Sequence, residues 1–386
     1  MITRLQEILH RREPELFGLL RLLVLIQSGT ENKAGVDRVG RSIREFLDPL
    51  PLQTRVVARQ KVGDHLVFST PAASRGGYIL ITGHMDTVFP EDTTFDWYKE
   101  DTDNVYGPGV IDMKGGLVVT MAAVSVLAEL GLLADVPLVL LFNSDEETGS
   151  LTSSSLIEEL AARACCGLVT ECGGLDGAVV TGRRGKAGFR LQVQGRAGHA
   201  AFAGSQKASA VLELCRQVIR LEELNDPDKG IVVNVGVVKG GIGPNTVAEH
   251  ACALIDTRFC QSEDGTRLRR RMEDICENTW TPGTSNSLQL TNQRPVMEQT
   301  AANLNLYGII QGQAEKLGIT ICREVRQGVS DASNIAGLGV PVVDGLGPIG
   351  EFDHSDREYM RKDSLVERSC LLAASILEIN RQRSAL

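Results

Sequence analysis

Before residue 182, the pattern of apolar and polar positions predicts helices and strands in alternation. Some segments repeat apolar residues at helical spacing, and others are short and almost wholly apolar, as expected for strands buried on both faces. The predicted helices cover an amphipathic N-terminus and residues 16–25, 36–46, 117–130 and 153–164; the predicted strands cover residues 54–57, 78–81, 136–142 and 167–170. This alternation predicts a doubly wound α/β domain, which binds ligands at the carboxyl ends of its strands.

The pattern changes at residue 182, where polar and apolar positions begin to alternate as in an antiparallel strand with one covered face. Predicted strands at residues 187–195, 231–238, 247–260 and 287–290 surround predicted helices at residues 205–221 and 263–278. Their order predicts a small α+β, ferredoxin-like domain over residues 182–292. Helices at 303–317 and 364–377 and a buried strand at 340–343 return to the first pattern, so we expect residues 1–181 and 293–386 to form one α/β domain.

Several polar residues follow the predicted strands of the larger domain at their carboxyl ends. His84 and Asp86 follow the strand at 78–81, Glu146 and Glu147 follow the strand at 136–142, and Glu171 follows the strand at 167–170. Alone, a His-x-Asp pair is compatible with an ordinary polar strand end, and adjacent glutamates are compatible with a solvated loop before a helix. Because these groups share one edge of the sheet, they favour a metal site.

Two further candidates lie in loops. Asp112 follows a glycine-rich turn directly before the helix at 117–130, and His354 lies in the last polar motif of the chain. Asp112 could instead cap the helix. A phosphate-binding turn is the other alternative, but the third glycine of a dinucleotide motif is missing and no Gly-Lys-Ser/Thr follows.

Together these residues offer two imidazoles and three carboxylates: His84, His354, Asp112, Glu147 and Glu171. This donor set suits zinc, with Co²⁺ or Mn²⁺ as substitutes. Five ligands with a bridging Asp112 fit a pair of metal ions, which lowers the pKa of a bound water from about 15.7 toward 7.

Two carboxylates remain for other roles. Glu146 is not needed as a ligand, so it is free to act as general base and acid. It would take the proton of a metal-bound water and give it to the leaving amine. Asp86 is expected to fix the ring orientation and tautomer of His84.

Composition and charge indicate which partners and which cellular compartment the protein has. The chain has 386 residues, a formal net charge of −9 and a pI near 5.3, which argue against nucleic acid or an anionic membrane surface as partner. The N-terminus resembles neither a signal peptide nor a membrane span. Nine cysteines without a Cys-x-x-Cys indicate a reducing cytoplasm. Cys172 adjoins Glu171, so a thiolate ligand is an alternative, although neighbours along a strand point to opposite faces.

Eight short motifs, in this order, resemble one family. They are GHMDTVFP (83–90), GPGVIDMKGG (107–116), DEETGS (145–150), TECGG (170–174), GRAGHA (195–200), GPNT (243–246), VSDA (329–332) and FDHSD (352–356). The chain resembles the co-catalytic zinc metallopeptidase family that contains glutamate carboxypeptidase, acetylornithine deacetylase and succinyl-diaminopimelate desuccinylase. The resemblance implies a zinc-hydrolase catalytic domain with an inserted lid domain that pairs two subunits into a homodimer.

The resemblance also implies roles for individual residues. One zinc ion would take His84 and Glu171, the other would take Glu147 and His354, and Asp112 would bridge both ions. The peptide bond after the bridging aspartate would be cis, which is rare for a residue other than proline.

On the inserted domain, the resemblance makes His199 an oxyanion stabiliser that reaches the site of the other subunit. Asn245 and Arg258 would hold the free carboxylate of the substrate, for which a guanidinium offers a bidentate fork. The backbone of Gly328 to Ser330 would complete this subsite.

Within the family, the chain resembles the glutamate carboxypeptidase branch, although Cys172 stands where that branch usually has proline and a single glycine precedes Val329 where two are commoner. We therefore expect a cytoplasmic dizinc metallocarboxypeptidase that acts on small peptides and releases a C-terminal glutamate-like amino acid. One alternative is an N-acyl amino acid deacylase with the same machinery. A more remote alternative is a non-catalytic binding protein on the same fold.

Overall fold

The N-terminal part of the chain forms helices and strands in alternation. In chain order these are α1 (Ile2–Arg11), α2 (Glu13–Val24), α3 (Lys33–Leu47), β1 (Gln53–Val57), β2 (His65–Ser69), β3 (Tyr78–His84), β4 (Lys99–Glu100), β5 (Asn104–Tyr106), α4 (Lys114–Glu129), β6 (Leu138–Asn143), α5 (Ser154–Ala161), β7 (Ala164–Val169) and β8 (Val179–Arg183). The computed structural model describes residues 1–383, apart from the side chain of Ser205.

The middle of the chain forms a second, smaller set of elements. These are β9 (Gly185–Gln194), β10 (Gly198–His199), α6 (Ala210–Glu222), β11 (Val232–Gly240), β12 (Thr246–Val247), β13 (His250–Phe259), α7 (Ser262–Glu277) and β14 (Ser285–Arg294). The remaining elements are α8 (Ala301–Leu317), β15 (Arg323–Arg326), α9 (Ala332–Ala336), β16 (Val342–Val343), β17 (Gly350–Glu351), β18 (Tyr359–Arg361) and α10 (Lys362–Gln382).

These elements divide into two units. The larger unit comprises Met1–Gly182, Gln299–Arg326 and the chain from Ser330 onward. The smaller unit comprises Arg183–Glu298 together with Gln327–Val329. Two backbone hydrogen bonds between Arg183 and Met297 join the two ends of the smaller unit, so residues 293–298 lie with it.

The larger unit is built on a six-stranded sheet with the order β1-β2-β6-β3-β7-β16. Strand β3 pairs in parallel with both β6 and β7, and β16 pairs in parallel with β7. The antiparallel strands β1 and β2 complete one edge. A mixed sheet with helices between its parallel strands confirms the predicted α/β class, and it brings the carboxyl ends of β3, β6 and β7 to one edge.

Burial explains why α4 lacks an amphipathic pattern. Every residue from Lys114 to Leu127 in this helix is buried. Its neighbours include α10, α2 and β3, which surround the helix with apolar side chains of the main core. A helix enclosed in this way gains from apolar residues on all sides.

The smaller unit has a four-stranded antiparallel sheet with the order β11-β13-β9-β14. Along β9, Phe189 and Leu191 lie in the core, whereas Arg190 and Gln192 lie on the exposed face. Helices α6 and α7 supply the other side of this second core, with Leu214 and Met272 fully buried. The strand order is that of a ferredoxin-like α+β fold.

Several of the elements differ from the predictions in their bounds or were not predicted at all. Helix α6 begins at Ala210 rather than at residue 205, because the hydroxyl of Ser209 accepts the N–H of Leu212 and caps the helix there. Strand β14 extends over ten residues because it pairs with β9 on both sides of a bulge between Leu290 and Asn292, and this pairing compensates for its polar composition. Strands β2, β8 and β15 were not predicted, since short strands carry little periodic signal.

Within residues 1–383, no helix is both long enough and apolar enough to cross a membrane.

Candidate active site

His84 is the last residue of β3, and its imidazole faces two carboxylates. Its Nε2 atom lies 3.0 Å from Oδ1 of Asp112 and 3.7 Å from Oε1 of Glu171. The Nδ1 atom lies 2.9 Å from the backbone oxygen of Asp86, which can accept its proton. A neutral His84 ring carries its proton on Nδ1 and leaves the Nε2 lone pair for a metal ion, whereas a protonated ring donates from Nε2 to Asp112.

Asp86 faces the His84 ring with its backbone oxygen and with its carboxylate. The nearest acceptor for the His84 ring is the backbone oxygen of Asp86, because Oδ1 of its carboxylate is farther from Nδ1, at 3.4 Å. The buried carboxylate instead accepts the hydroxyl of Thr30 at 2.7 Å and the backbone N–H groups of Glu146 and Glu147, each at 3.3 Å. Asp86 thus connects the end of β3 with the loop after β6.

Asp112 lies between the two predicted histidine ligands. Its Oδ1 atom faces His84, and its Oδ2 atom lies 3.1 Å from Nε2 of His354. The same His354 nitrogen lies 3.3 Å from Oε2 of Glu147. The peptide bond from Asp112 to Met113 is cis, which confirms the expectation drawn from the resemblance.

Charge crowding dominates the electrostatics of this cluster. Burial would raise the pKa of Asp112, but hydrogen bonds from His354 and His84 outweigh it and lower the pKa. Hydrogen bonds to Asp112 and Glu147 raise the pKa of His354 to about 11. Burial and the charge of Asp112 raise the pKa of Glu147, and they raise that of Glu171 well above its ordinary value. The carboxylates therefore compete for too little positive charge.

This cluster fits divalent metal ions. Oε1 of Glu147 is buried and has no hydrogen-bond partner among the described residues. His84, Asp112 and Glu147 each offer one ligand atom, and these three atoms lie within 4.8 Å of one another. Asp112, Asp353 and His354 form a second group that meets the same distance. Cations shared by these groups would compensate the crowded carboxylates and occupy the free oxygen of Glu147.

Glu146 lies in the same region on the loop after β6. Its backbone is tied to Asp86, and its side chain is half-buried. The charge of Glu146 contributes to the raised pKa of Glu171, after burial and the charges of Asp112 and Asp344, whereas the charge of His84 opposes the rise. The structure therefore brings Glu146 close to the predicted metal ligands of the larger unit.

In the smaller unit, His199 and Asn245 are neighbours. His199 in β10 pairs with Thr246 in β12, and the backbone oxygen of Asn245 accepts the N–H of Ala200 at 2.9 Å. Nδ1 of the exposed His199 accepts the N–H of Ala201 at 3.2 Å. In the neutral ring the proton is therefore on Nε2, which can donate a hydrogen bond outward.

Arg258 lies on β13 of the smaller unit. Its Nε atom donates to Oδ2 of Asp256 at 2.8 Å, and Asp256 also lies 3.6 Å from Nζ of Lys186. Among the described residues, the two outer nitrogens of the Arg258 guanidinium make no hydrogen bond. The Asp256 contact orients the guanidinium and leaves its outer edge available to an anion.

The remaining predicted substrate residues differ in what they can offer. The backbone oxygen of Gly328 accepts Nη1 of Arg183 at 3.0 Å within the smaller unit. In the larger unit, the hydroxyl of Ser330 donates to Asp344 at 2.6 Å and accepts the N–H of Ala332. Because that hydroxyl is engaged and buried, Ser330 can contribute to a subsite only through its backbone.

Cys172 belongs to neither of the two candidate metal groups formed by the described residues. Burial raises the pKa of its thiol to about 12. Nη1 of Arg326 lies 3.4 Å from its sulfur and 2.8 Å from its backbone oxygen. These contacts indicate that Cys172 and Arg326 hold the loop that follows Glu171.

Two residues near the site were not predicted from the sequence. Thr30 donates to Asp86, and Glu358 accepts three backbone N–H groups from the loop that carries Asp112. Burial raises the pKa of Glu358 to about 8, although its backbone hydrogen bonds oppose this change. Each is a single polar residue in an irregular segment, so no periodic pattern distinguishes it. The only signal for Glu358 is its position four residues after His354.

The fold and this cluster define a hydrolytic enzyme that uses divalent metal ions. Residues 80–378 match the family described as peptidase family M20/M25/M40. The chain belongs to this family of metallopeptidases, which confirms the resemblance seen in its motifs. Membership of a peptidase family implies that its substrates are peptides.

Among relatives, the chain is similar to carboxypeptidase G2 of Pseudomonas sp. (strain RS-16). The two are 29% identical over 377 residues, which cover 95% of this chain and 90% of the relative. A probable carboxypeptidase of Aspergillus terreus is 31% identical over 280 residues, which cover 64% of this chain and 61% of the relative.

Solved structures show the same fold. The aminopeptidase PepT of Bacillus cereus has a TM-score of 0.78 at 22% identity, with 95% of this chain and 98% of that chain covered. The M20 family metallo-carboxypeptidase Sso-CP2 of Sulfolobus solfataricus has a TM-score of 0.69 at 16% identity, with 95% and 99% covered. At this identity the likeness shows the fold alone, since proteins that share a fold differ in the substrates they accept.

Proposed function

We propose that this protein is a dizinc metallocarboxypeptidase that cleaves the amide bond next to a free carboxylate and releases a C-terminal glutamate-like amino acid. The observation that carries the proposal is the position of Asp112, whose two oxygens face the Nε2 atoms of two different histidines at 3.0 and 3.1 Å. A carboxylate with a separate imidazole at each oxygen is suited to bridge two ions.

The contacts of the larger unit support the ligand assignment that the resemblance implies. His84 and Glu171 would hold one zinc ion, Glu147 and His354 would hold the other, and Asp112 would contact both. When bound, the metal pair supplies Lewis acidity that acidifies a water and polarises the scissile carbonyl. Co²⁺ or Mn²⁺ can substitute because the oxygen and imidazole donors accept either ion.

The other roles belong to the protein's own side chains. Glu146 removes a proton from the attacking water and passes it to the leaving amine. Nε2–H of His199 donates to the oxygen on which negative charge develops, and such a donor is worth about 2.7–4 kcal/mol in related chemistry. The outer nitrogens of Arg258, with Asn245 and the backbone from Gly328 to Ser330, bind the free carboxylate of the substrate.

Three considerations support the carboxypeptidase assignment over other peptidases of the fold. The 29% identical relative that spans 95% of the chain is named a carboxypeptidase. Arg258 has an oriented guanidinium that suits a substrate carboxylate. The chain also carries Glu171 at a position where many aminopeptidase-like relatives have aspartate, and in this it resembles the glutamate carboxypeptidase branch. We further propose that the protein is a homodimer formed through the smaller unit, as the resemblance implies, and that it is cytoplasmic, as its nine cysteines without a Cys-x-x-Cys indicate.

The test combines metal content with hydrolysis. The purified protein is assayed for bound metal, and it is then incubated with benzoyl-glutamate, pteroyl-glutamate and a panel of dipeptides and N-acyl amino acids before and after chelation. We expect about two metal ions per chain and chelator-sensitive release of glutamate. Turnover restricted to short N-acyl groups would show a deacylase instead. The absence of both metal and turnover would support a binding protein.

A further inference from the structure

One carboxylate organises the loop that presents Asp112. Oε2 of Glu358 accepts the backbone N–H of Gly109 at 2.9 Å, and its Oε1 accepts those of Ile111 at 2.9 Å and Asp112 at 3.1 Å. Glu358 is fully buried, and about 250 residues separate it from this loop in the sequence. The contact therefore exists only because the fold brings the two segments together.

The neighbouring backbone hydrogen bonds show why this side chain matters to the loop. The N–H of Val110 bonds to Gly107, and the N–H of Lys114 bonds to Gly109. The three donors that these local bonds leave between Gly109 and Asp112 all point at Glu358. Without an acceptor, each of these N–H groups would lose a hydrogen bond, which would destabilise this conformation of the loop.

Glu358 also belongs to the segment that carries His354. Its own N–H bonds to the backbone oxygen of Ser355 at 3.2 Å, and the next residue begins β18. Strand β18 pairs with β5, and Tyr359 of β18 lies opposite Tyr106 of β5. The segment with His354 and the loop with Asp112 are thus joined twice, once by this strand pair and once by the Glu358 carboxylate.

We propose that Glu358 is a positioning residue for the metal centre, which holds Asp112 and His354 in the relative arrangement that a pair of metal ions requires. This inference rests on the proposed function. Glu358 itself makes no contact with substrate in this role, and it acts by fixing the backbone from which Asp112 projects. Supporting groups of this kind change metal affinity or activity by about 10–100-fold when they are removed.

The best single change is Glu358→Gln, which keeps the size of the side chain. A carboxamide offers one oxygen and one NH₂ group, so one end of the side chain would place a donor against a backbone donor of the loop. Glu351→Gln is the matched control, because Glu351 is an exposed acid on the neighbouring strand β17. The control removes a nearby negative charge without touching the Asp112 loop.

The experiment measures zinc affinity of the metal-free proteins by competition with a chromophoric chelator, together with their thermal midpoints and the kcat and KM of the zinc-loaded forms. For Glu358→Gln we expect at least one zinc ion to bind about 10–100-fold more weakly, with a lower kcat and a KM close to that of the wild type. Glu351→Gln should match the wild type in all three readouts.

A purely structural role predicts a different result. It would lower the thermal midpoint of the metal-free protein and leave both zinc affinities unchanged, and this outcome would overturn the inference. If Glu358→Gln does not fold, Glu358→Asp replaces it, since the shorter carboxylate keeps the charge but cannot reach all three N–H groups. Wild-type zinc affinity in that variant would also overturn the inference. A wild-type protein that binds no zinc would instead refute the proposed function, and this inference with it.

Discussion

The backbone N–H of Glu146 donates to Oδ1 of Asp86 at 3.3 Å. Asp86 also provides the backbone oxygen that accepts from the ring of His84. Asp86 therefore orients the imidazole at the end of β3 and also holds the backbone of the loop that carries the proposed base. Its burial removes water as a competing partner, so these contacts are expected to keep the two groups in a constant relative position.

The first prediction concerns Glu146 as the proton carrier. Glu146→Gln should lower kcat by about 10²–10⁴-fold because the amide cannot accept the proton of the attacking water. Metal content should remain that of the wild type, since Glu146 is not among the proposed ligands. Steady-state kinetics and metal analysis of the variant test this. Glu45→Gln, an exposed acid on α3, serves as the control. Unchanged turnover in Glu146→Gln would assign the base elsewhere.

The second prediction tests whether His199 acts on the site of the partner subunit. His199→Ala should lower kcat by about 10²–10³-fold, as expected for the loss of an oxyanion donor. If each site combines residues from two chains, mixing His199→Ala with Glu146→Gln should restore activity. Mixed dimers would hold one intact site, so a one-to-one mixture should recover about a quarter of wild-type activity.

The mixing experiment requires exchange of subunits, which brief treatment with dilute denaturant followed by its removal can provide. Sedimentation of the wild type supplies the independent measurement of oligomeric state. A mixture that stays inactive while dimers have exchanged would place His199 in its own chain's site. A monomer of 41.7 kDa would exclude the trans arrangement altogether.

The third prediction concerns the pH dependence of stability through His65. This fully buried imidazole lies 2.9 Å from the hydroxyl of Ser144 and 3.0 Å from that of Thr152. Burial lowers its pKa below the ordinary value of 6.5, although the charge of Asp145 opposes the change. Below pH 6.5 the unfolded chain therefore binds a proton that the folded chain does not, and stability falls as the pH decreases.

Denaturant unfolding between pH 5 and pH 8 measures this effect. His65→Gln should make the free energy of unfolding less dependent on pH below about 6.5, by up to about 1.4 kcal/mol per pH unit. The variant should also be less stable at pH 8 because it loses one of the two hydroxyl contacts. His10→Gln, at an exposed position on α1, controls for the loss of an imidazole. If the free energy of unfolding of His65→Gln depends on pH below about 6.5 as strongly as that of the wild type, other groups cause this dependence.

The fourth prediction compares two glycines in helices. A Cβ atom at Gly116 in α4 would collide with the backbone oxygen of Thr170, whereas a Cβ atom at Gly308 in α8 meets nothing within 4 Å. Gly116→Ala should therefore destabilise the fold by about 1–3 kcal/mol. Gly308→Ala should stabilise it by about 0.5–1 kcal/mol through better helix propensity. Denaturant midpoints of the two variants test this pair, and equal shifts would contradict it.

Much of the candidate site was predictable because its residues follow strands with a strong apolar signal. The runs before His84, Glu147 and Glu171 predict β3, β6 and β7, and parallel strands bring their carboxyl ends to one edge. Asp112 and His354 could be nominated from their loops, but the placement of His84 and His354 at the two oxygens of the Asp112 carboxylate depends on side-chain positions. No local pattern encodes that geometry.

The sequence by itself determined the α/β class, the inserted α+β domain and the metallopeptidase family, because these depend on periodicity and on motifs of adjacent residues. Only the tertiary structure decided which groups meet across long stretches of chain. Thr30 reaches Asp86, Glu358 reaches the Asp112 loop, and Ser330 uses its hydroxyl on Asp344. Each of these contacts satisfies a buried polar group, and its partner is selected by packing of the whole fold rather than by neighbours in sequence.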